Sequence, residues 1–237
     1  MVGSARSGTT LVGAIVDSHA RMICANETSA SVNFWRGWSA REIVEEIVAN
    51  SAANYAAGRT SEGYSYAIET DHKDSSEITV IGDKVWNPAV LLMAGQRDLL
   101  AGLERLMRCP LALLHCVRNP FDVIATMHRR SGASLRDRMR WYTIQCEAIQ
   151  MIVERSEFPI LLVRHEDLIA DPSVVSGQIF EWLGFPTSEE HLSRIQRKVY
   201  TRPNKSRLTV NWPSEIIGEV AALTSRFPYL ARYSLID

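Results

Sequence analysis

The sequence predicts a three-layer α/β fold, with a central parallel sheet flanked by helices on both faces. Short apolar runs alternate along the chain with longer amphipathic stretches, the pattern of parallel strands joined by crossover helices. The chain also opens on Gly3-Ser4-Ala5-Arg6-Ser7-Gly8-Thr9-Thr10. This Gly-x-x-x-x-Gly frame runs straight into an apolar stretch, as a phosphate-cradling loop runs from a first strand into a first helix. The fold is read as P-loop-like, a single domain over residues 1–237.

Each element follows in order. Only Met1 and Val2 precede the loop. The first strand therefore reads as truncated, either genuinely short or cut by a reading frame that starts late. Leu11 to Val16 reads as a helix, and Met22-Ile23-Cys24 as a short strand. Ser39 and Glu42 form a capping box ahead of the helical run Ile43 to Val48. The polar stretch from Gly58 to Asp74 is a surface loop or a lid. Ile78 to Ile81, Leu111 to Val117 and Ile160 to Val163 are strand-like. Asn87-Pro88 opens a helix expected to run through Met107, with Pro88 at its first position. Asn119-Pro120 opens another to about Met127, Ser134 one to about Glu154, and Pro172 one that ends near Gly184. Ligands of such sheets sit at the carboxyl ends of strands. The glycine loop, Asp83-Lys84 and Arg118 all follow strand-like runs and share that edge.

Composition narrows the function. A chain of 237 residues with 46% hydrophobic and 22% charged residues suits one soluble α/β domain. A formal net charge of -1 supplies no field for nucleic acid or for an anionic membrane. No apolar run reaches the length of a membrane span and no signal peptide precedes the loop, so a cytoplasmic protein is expected. Cys24, Cys109, Cys116 and Cys146 show no metal-ligand spacing, and the histidines are dispersed. No metal is expected, and the cysteines read as free thiols.

The loop carries the chemistry. Gly3 and Gly8 let consecutive N–H groups converge on one anion, and the following helix turns its positive end toward it. Arg6 adds a fixed charge. A nucleotide triphosphatase places lysine directly after the second glycine; here Thr9 and Thr10 stand there. The loop is thus suited to a phosphate-like group other than the β- and γ-phosphates of ATP. A second anion site is indicated by Arg118, at a strand end, and Thr126, eight residues later on the next helix.

These motifs resemble the sulfotransferases that use 3′-phosphoadenosine 5′-phosphosulfate (PAPS). Their 5′-phosphosulfate loop is similar to Ala5-Arg6-Ser7-Gly8-Thr9-Thr10, and their 3′-phosphate motif, an arginine and a serine eight residues on, to Arg118 and Thr126. Val163-Arg164-His165-Glu166-Asp167-Leu168 and Asp171-Pro172 also resemble the family. A closer resemblance is to the tyrosylprotein sulfotransferase branch and its bacterial relatives. Asp17-Ser18-His19-Ala20 and Cys24-Ala25-Asn26-Glu27-Thr28-Ser29 stand where that branch has Asp-Ala-His-Pro and Cys-Gly-Glu-Glu-Thr-Arg.

The resemblance implies sulfuryl transfer from PAPS to an acceptor hydroxyl by in-line displacement. It puts the catalytic base on Glu27 and a lysine near the transferred group on Lys84. Ser7, Gly8, Thr9 and Thr10 would hold the 5′-phosphate with Arg6, while Arg118 and Thr126 hold the 3′-phosphate. Lys205-Ser206-Arg207 and Trp212 match the family's C-terminal outline, with Lys205 and Ser206 expected at the cofactor. His72, His128 and His165 are the next candidates for a base. The branch's acceptor-peptide arginine falls on Ser29, which argues against an acidic tyrosine peptide. Trp35 and Trp38 either line a flatter acceptor pocket or pack under a loop. The acceptor is a small-molecule, glycan or peptide hydroxyl. The alternatives are a P-loop nucleotide kinase or NTPase, and a non-catalytic nucleotide-binding relative.

Overall fold

The order in which the parallel strands pair decides where the site falls. The computed structural model describes residues 1–61, 64–70, 73–200 and 202–236. Val2–Gly3 (β1) leads through the glycine loop into Thr9–Ser18 (α1), then Met22–Asn26 (β2), Ala30–Trp35 (α2) and Ala40–Ala56 (α3). A hairpin of Thr60–Ser61 (β3) and Tyr64–Ser65 (β4) precedes Val80–Lys84 (β5), Asn87–Gly95 (α4) and Leu99–Met107 (α5). Leu113–Val117 (β6), Pro120–Ser131 (α6) and Leu135–Arg155 (α7) follow. Next come Ile160–Arg164 (β7), His165–Ala170 (α8), Pro172–Trp182 (α9), Glu189–Lys198 (α10) and Ser214–Arg226 (α11).

β1, β6 and β7 pair in parallel, as do β2 and β5. Two backbone bonds join these sets. The Val85 N–H donates to the Met1 carbonyl at 3.2 Å, and the N-terminal ammonium donates to the Asp83 carbonyl at 2.9 Å. The order across the molecule is therefore β2-β5-β1-β6-β7. The central strand has two residues where each neighbour has five. Beside Met1, between Ile81-Gly82 and Leu111 to Leu113, lies a cavity of about 160 Å³, walled by Ile43, Ile47, Met93 and Leu103.

Successive side chains of β6 point to opposite faces, and this separates the layers. Leu114 and Cys116 join a core with Ile15 of α1, Phe180 of α9 and Ile195 of α10. Leu113 packs with Val90 of α4 and Ile149 of α7, and Val117 with Phe121, Tyr142 and Val220. Every residue of β6 is buried, which is why its sequence reads as a continuous apolar run. Burial pushes the thiols of Cys24, Cys116 and Cys146 up to about 12, so they are inert fillers of the core.

Several elements differ from expectation for definable reasons. The helix expected from Asn87 through Met107 is two helices. Gln96 is extended at φ -109° and ψ 97°, and Arg155 Nη1 donates to the Ala94 carbonyl at 2.7 Å. That carbonyl would otherwise accept the N–H of residue 98. β6 begins at Leu113 because the Leu111 N–H donates to the Glu104 carboxylate at 2.9 Å instead of joining the ladder. α6 continues past Met127 to Ser131, its last turn carrying His128, Arg129 and Arg130, which suit the negative end of a helix. The Ser39–Glu42 capping box is present.

Candidate active site

The glycine loop closes on itself before it meets anything else. The Ser7 hydroxyl donates to the Ser4 carbonyl at 2.7 Å and the Ser7 N–H to the same oxygen at 3.2 Å. Ser7 is buried, its hydroxyl shapes the loop, and it does not line the crevice beside Gly8, Thr9 and Thr10. Gly8 has φ 93° and stands at the N-cap of α1, where no side chain caps the first N–H groups. A Cβ there would lie 2.5 Å from His165 Nδ1, and one on Gly3 would lie 2.7 Å from the Cys116 carbonyl. Both glycines are required by close approach, and Gly8 by its left-handed backbone as well. Arg6, Glu27 and Ser29 adopt positive φ of 71°, 65° and 60° without being glycine. Such sparsely populated conformations concentrate where a site must aim side chains.

Two cavities meet at Thr9. The first, of about 270 Å³, is bounded by the loop, the start of α1, the end of β6 and the segment from Tyr200 to Ser206. Arg6, Arg118, Arg129, Arg130 and Arg202 all line it, with Gly8, Thr9, Thr10 and Thr126. Arg118 Nη1 donates to the Arg6 carbonyl at 3.3 Å, and Nη2 bonds the Asn204 carbonyl. Its Nε has no partner, and burial lowers its pKa. The Thr126 hydroxyl donates to the Asp122 carbonyl at 2.7 Å and lies 3.0 Å from Ser206 Oγ.

The three C-terminal candidates separate here. Ser206 borders the arginine-lined crevice. Lys205 faces a different cavity, with Asn119, Glu166 and Arg232. Arg207 turns inward, pairing with Asp122 and donating from Nε to the Leu235 carbonyl at 2.9 Å. The tight 3-10 turn Ser206–Thr209 sends successive side chains in different directions, so Lys205 is removed from the crevice it was expected to line.

The second cavity, of about 250 Å³, lies on the other side of the loop, against Gly3, Ser4 and Ala5. Glu27, Trp86, Asn87, Pro88 and Trp141 complete its walls. Glu27 follows β2 and pairs with Lys84 at the end of β5, and its N–H donates to the Lys84 carbonyl at 2.8 Å. Asp83 holds the turn beneath, accepting from the N–H groups of Thr28 at 3.1 Å and Ala30 at 2.9 Å. The Lys84 side chain is 10% exposed and that of Glu27 46%, so the carboxylate is the accessible member.

Other candidates move. Trp35 stands exposed on α2, and Trp38 packs on Ala25, Ala30, Ile43 and Ile47; neither lines the Glu27 cavity. His128 Nδ1 lies 2.6 Å from the Ala133 carbonyl at the end of α6, away from both cavities. His72 lies outside the described residues. His165, one of the further base candidates, lines the arginine crevice with its Nδ1 unpartnered. Burial and the Arg118 charge hold its pKa down to about 3, so the ring is neutral. His165 directly follows β7, as Arg118 directly follows β6.

The loop thus separates an arginine-lined crevice on one side from a carboxylate-bearing cleft on the other. The family model for the sulfotransferase domain matches residues 1–227, and the chain belongs to that family. It is a sulfotransferase, and the family uses PAPS as donor. A sulfotransferase from Alicyclobacillus acidocaldarius shares the fold, with 15% identity, a TM-score of 0.51 and coverage of 98% of this chain and 92% of that one. The sulfotransferase domain of the curacin biosynthetic pathway aligns at 16% identity and TM-score 0.48, over 94% and 95% of the two chains. Mouse sulfotransferase SULT7A1, solved in complex with PAP, aligns at 13% identity and TM-score 0.32, over 88% and 74%. No curated protein matches significantly. Among the described residues no helix is long and apolar enough to cross a membrane.

Proposed function

We propose that this chain takes the sulfuryl group of PAPS to an acceptor hydroxyl and releases adenosine 3′,5′-bisphosphate (PAP). The observation that carries the reading is the meeting of the two cavities at Thr9, one lined by arginines and the other holding Glu27. The crevice fits a donor with two separate phosphate groups. The loop and the first turn of α1 suit one; Arg118, Thr126 and Ser206 suit the other. Arg118 arrives buried, with an unpartnered Nε and a lowered pKa, a charge that an incoming anion relieves.

Glu27 accepts the proton of the acceptor hydroxyl as its oxygen bonds to sulfur. The bond from sulfur to the 5′-phosphate oxygen breaks, and its electron pair stays on that oxygen. Lys84 and Arg6 neutralise the charge that grows there, with the N–H groups of Gly8, Thr9 and Thr10, a contribution largest in the transition state. Arg118, Thr126 and Ser206 hold the 3′-phosphate, the group that separates PAPS from ATP. His165, kept neutral, adds a hydrogen bond to the crevice without adding charge. Guanidinium and ammonium groups supply all the positive charge this scheme uses.

Calorimetric titration with PAP and with ATP–Mg²⁺ tests it. Binding of PAP with little response to ATP–Mg²⁺ supports the reading. A preference for ATP–Mg²⁺ overturns it in favour of a kinase-like site, and PAP binding with no turnover of any acceptor reduces the chain to a nucleotide binder.

A further inference from the structure

The two cavities that share Thr9 differ sharply in charge. Arg6, Arg118, Arg129, Arg130 and Arg202 line the donor crevice, whereas among the described residues no lysine or arginine lines the cleft at Glu27. Lys84 is paired with the Glu27 carboxylate at the edge of that cleft. The remaining wall is dominated by Val85, Trp86, Pro88 and Trp141. Trp86 is 47% exposed although it is among the largest apolar side chains. Its backbone is committed to the start of α4, where its carbonyl accepts from the Ala89 N–H at 3.0 Å, so its Cα is fixed beside the cleft that the side chain lines. Trp141, on α7, is braced from behind by the core of Phe121, Tyr142 and Val220.

The geometry points to Trp86 and Trp141 as the residues that select the acceptor, and to an uncharged aromatic alcohol as its class. This inference rests on the sulfuryl-transfer reading of the same site. An acidic peptide would bring negative charge to a cleft whose accessible ionisable group is a carboxylate. A sugar carries a hydroxyl on most ring carbons, and among the described residues the cleft offers, beside Glu27, Ser4, Thr9 and Asn87 as polar side chains, the first two buried. A flat ring meets the tryptophan faces and presents its single hydroxyl to Glu27. The volume of about 250 Å³ lies below the usual range for drug-sized ligands, which suits one ring or a fused pair.

The test compares 2-naphthol, cyclohexanol, a methyl glucoside and an acidic tyrosine peptide as acceptors with PAPS, while PAP binding is followed in the same preparation. The expected result is a kcat/KM for 2-naphthol at least about tenfold above the others, in line with aromatic stacking. Trp86→Ala should raise the KM for 2-naphthol about tenfold with the KM for PAPS unchanged, and Trp86→Phe should restore most of it. Trp86 is exposed, so this variant folds even if Trp141→Leu does not. PAP binding with the glycoside or peptide preferred, with no sulfation of 2-naphthol, or with Trp86→Ala indistinguishable from the parent overturns the acceptor inference alone. Absence of PAP binding overturns the donor reading, and this inference with it.

Discussion

Asp122 and Arg207 form a buried ion pair that fastens the first turn of α6 to the segment carrying Ser206. Their side chains are 1% and 3% exposed, and the Asp122 carboxylate also accepts the Arg207 N–H at 2.8 Å. The pair brings Ser206 to within 3.0 Å of Thr126, across 80 residues of chain. Removing one partner strands the other charge in the interior. Asp122→Ala should therefore cost about 3–5 kcal/mol of stability in urea denaturation. A loss under about 1 kcal/mol would mean that the pair is solvated.

Thr126→Val tests the consequence at the ligand. It keeps the shape of the side chain and removes its hydroxyl. PAP affinity should fall about tenfold, while adenosine 5′-phosphate, which has no 3′-phosphate, should bind as before. Calorimetry on the two nucleotides reads the difference directly. Equal losses for both would place Thr126 in the fold rather than at the 3′-phosphate.

Glu27→Gln separates base from scaffold. The amide keeps the size of the side chain and loses its basicity. Turnover should fall by ~10²–10⁴ with PAP affinity retained, because the crevice lies on the other side of the loop. Single-turnover kinetics with saturating PAPS give the rate, and near-parental turnover would remove Glu27 from the role.

What was legible in the sequence was local. Gly3, Gly8, Pro88, Ser39 with Glu42, and the strand-end Arg118 announce themselves because a backbone angle, a missing N–H or a cap depends on near neighbours. What was not legible depends on distant partners. The break after Gly95 involves Arg155, 61 residues away, at the Ala94 carbonyl. The choice of Ser206 over Lys205 follows from Asp122, and the presence of Trp86 and Trp141 rather than Trp35 and Trp38 at the Glu27 cleft from the packing of α4 on α7. Apolar content alone does not say which tryptophan faces a cleft.

The buried His115 and the partly buried His165 make stability fall in acid. Burial holds His165 down to about 3 and His115 down to about 4, with Arg118 and Arg164 adding to the effect. In the unfolded chain both titrate near the ordinary 6.5. Between those values the unfolded state binds more protons, so their contribution is complete above about pH 6.5 and is lost as pH falls toward 3. The limiting slope is about 1.4 kcal/mol per pH unit for each histidine. Urea denaturation at pH 7.0 and 5.5 should show the loss, and His115→Asn should reduce it. An unchanged difference in the variant would assign the acid sensitivity to other groups.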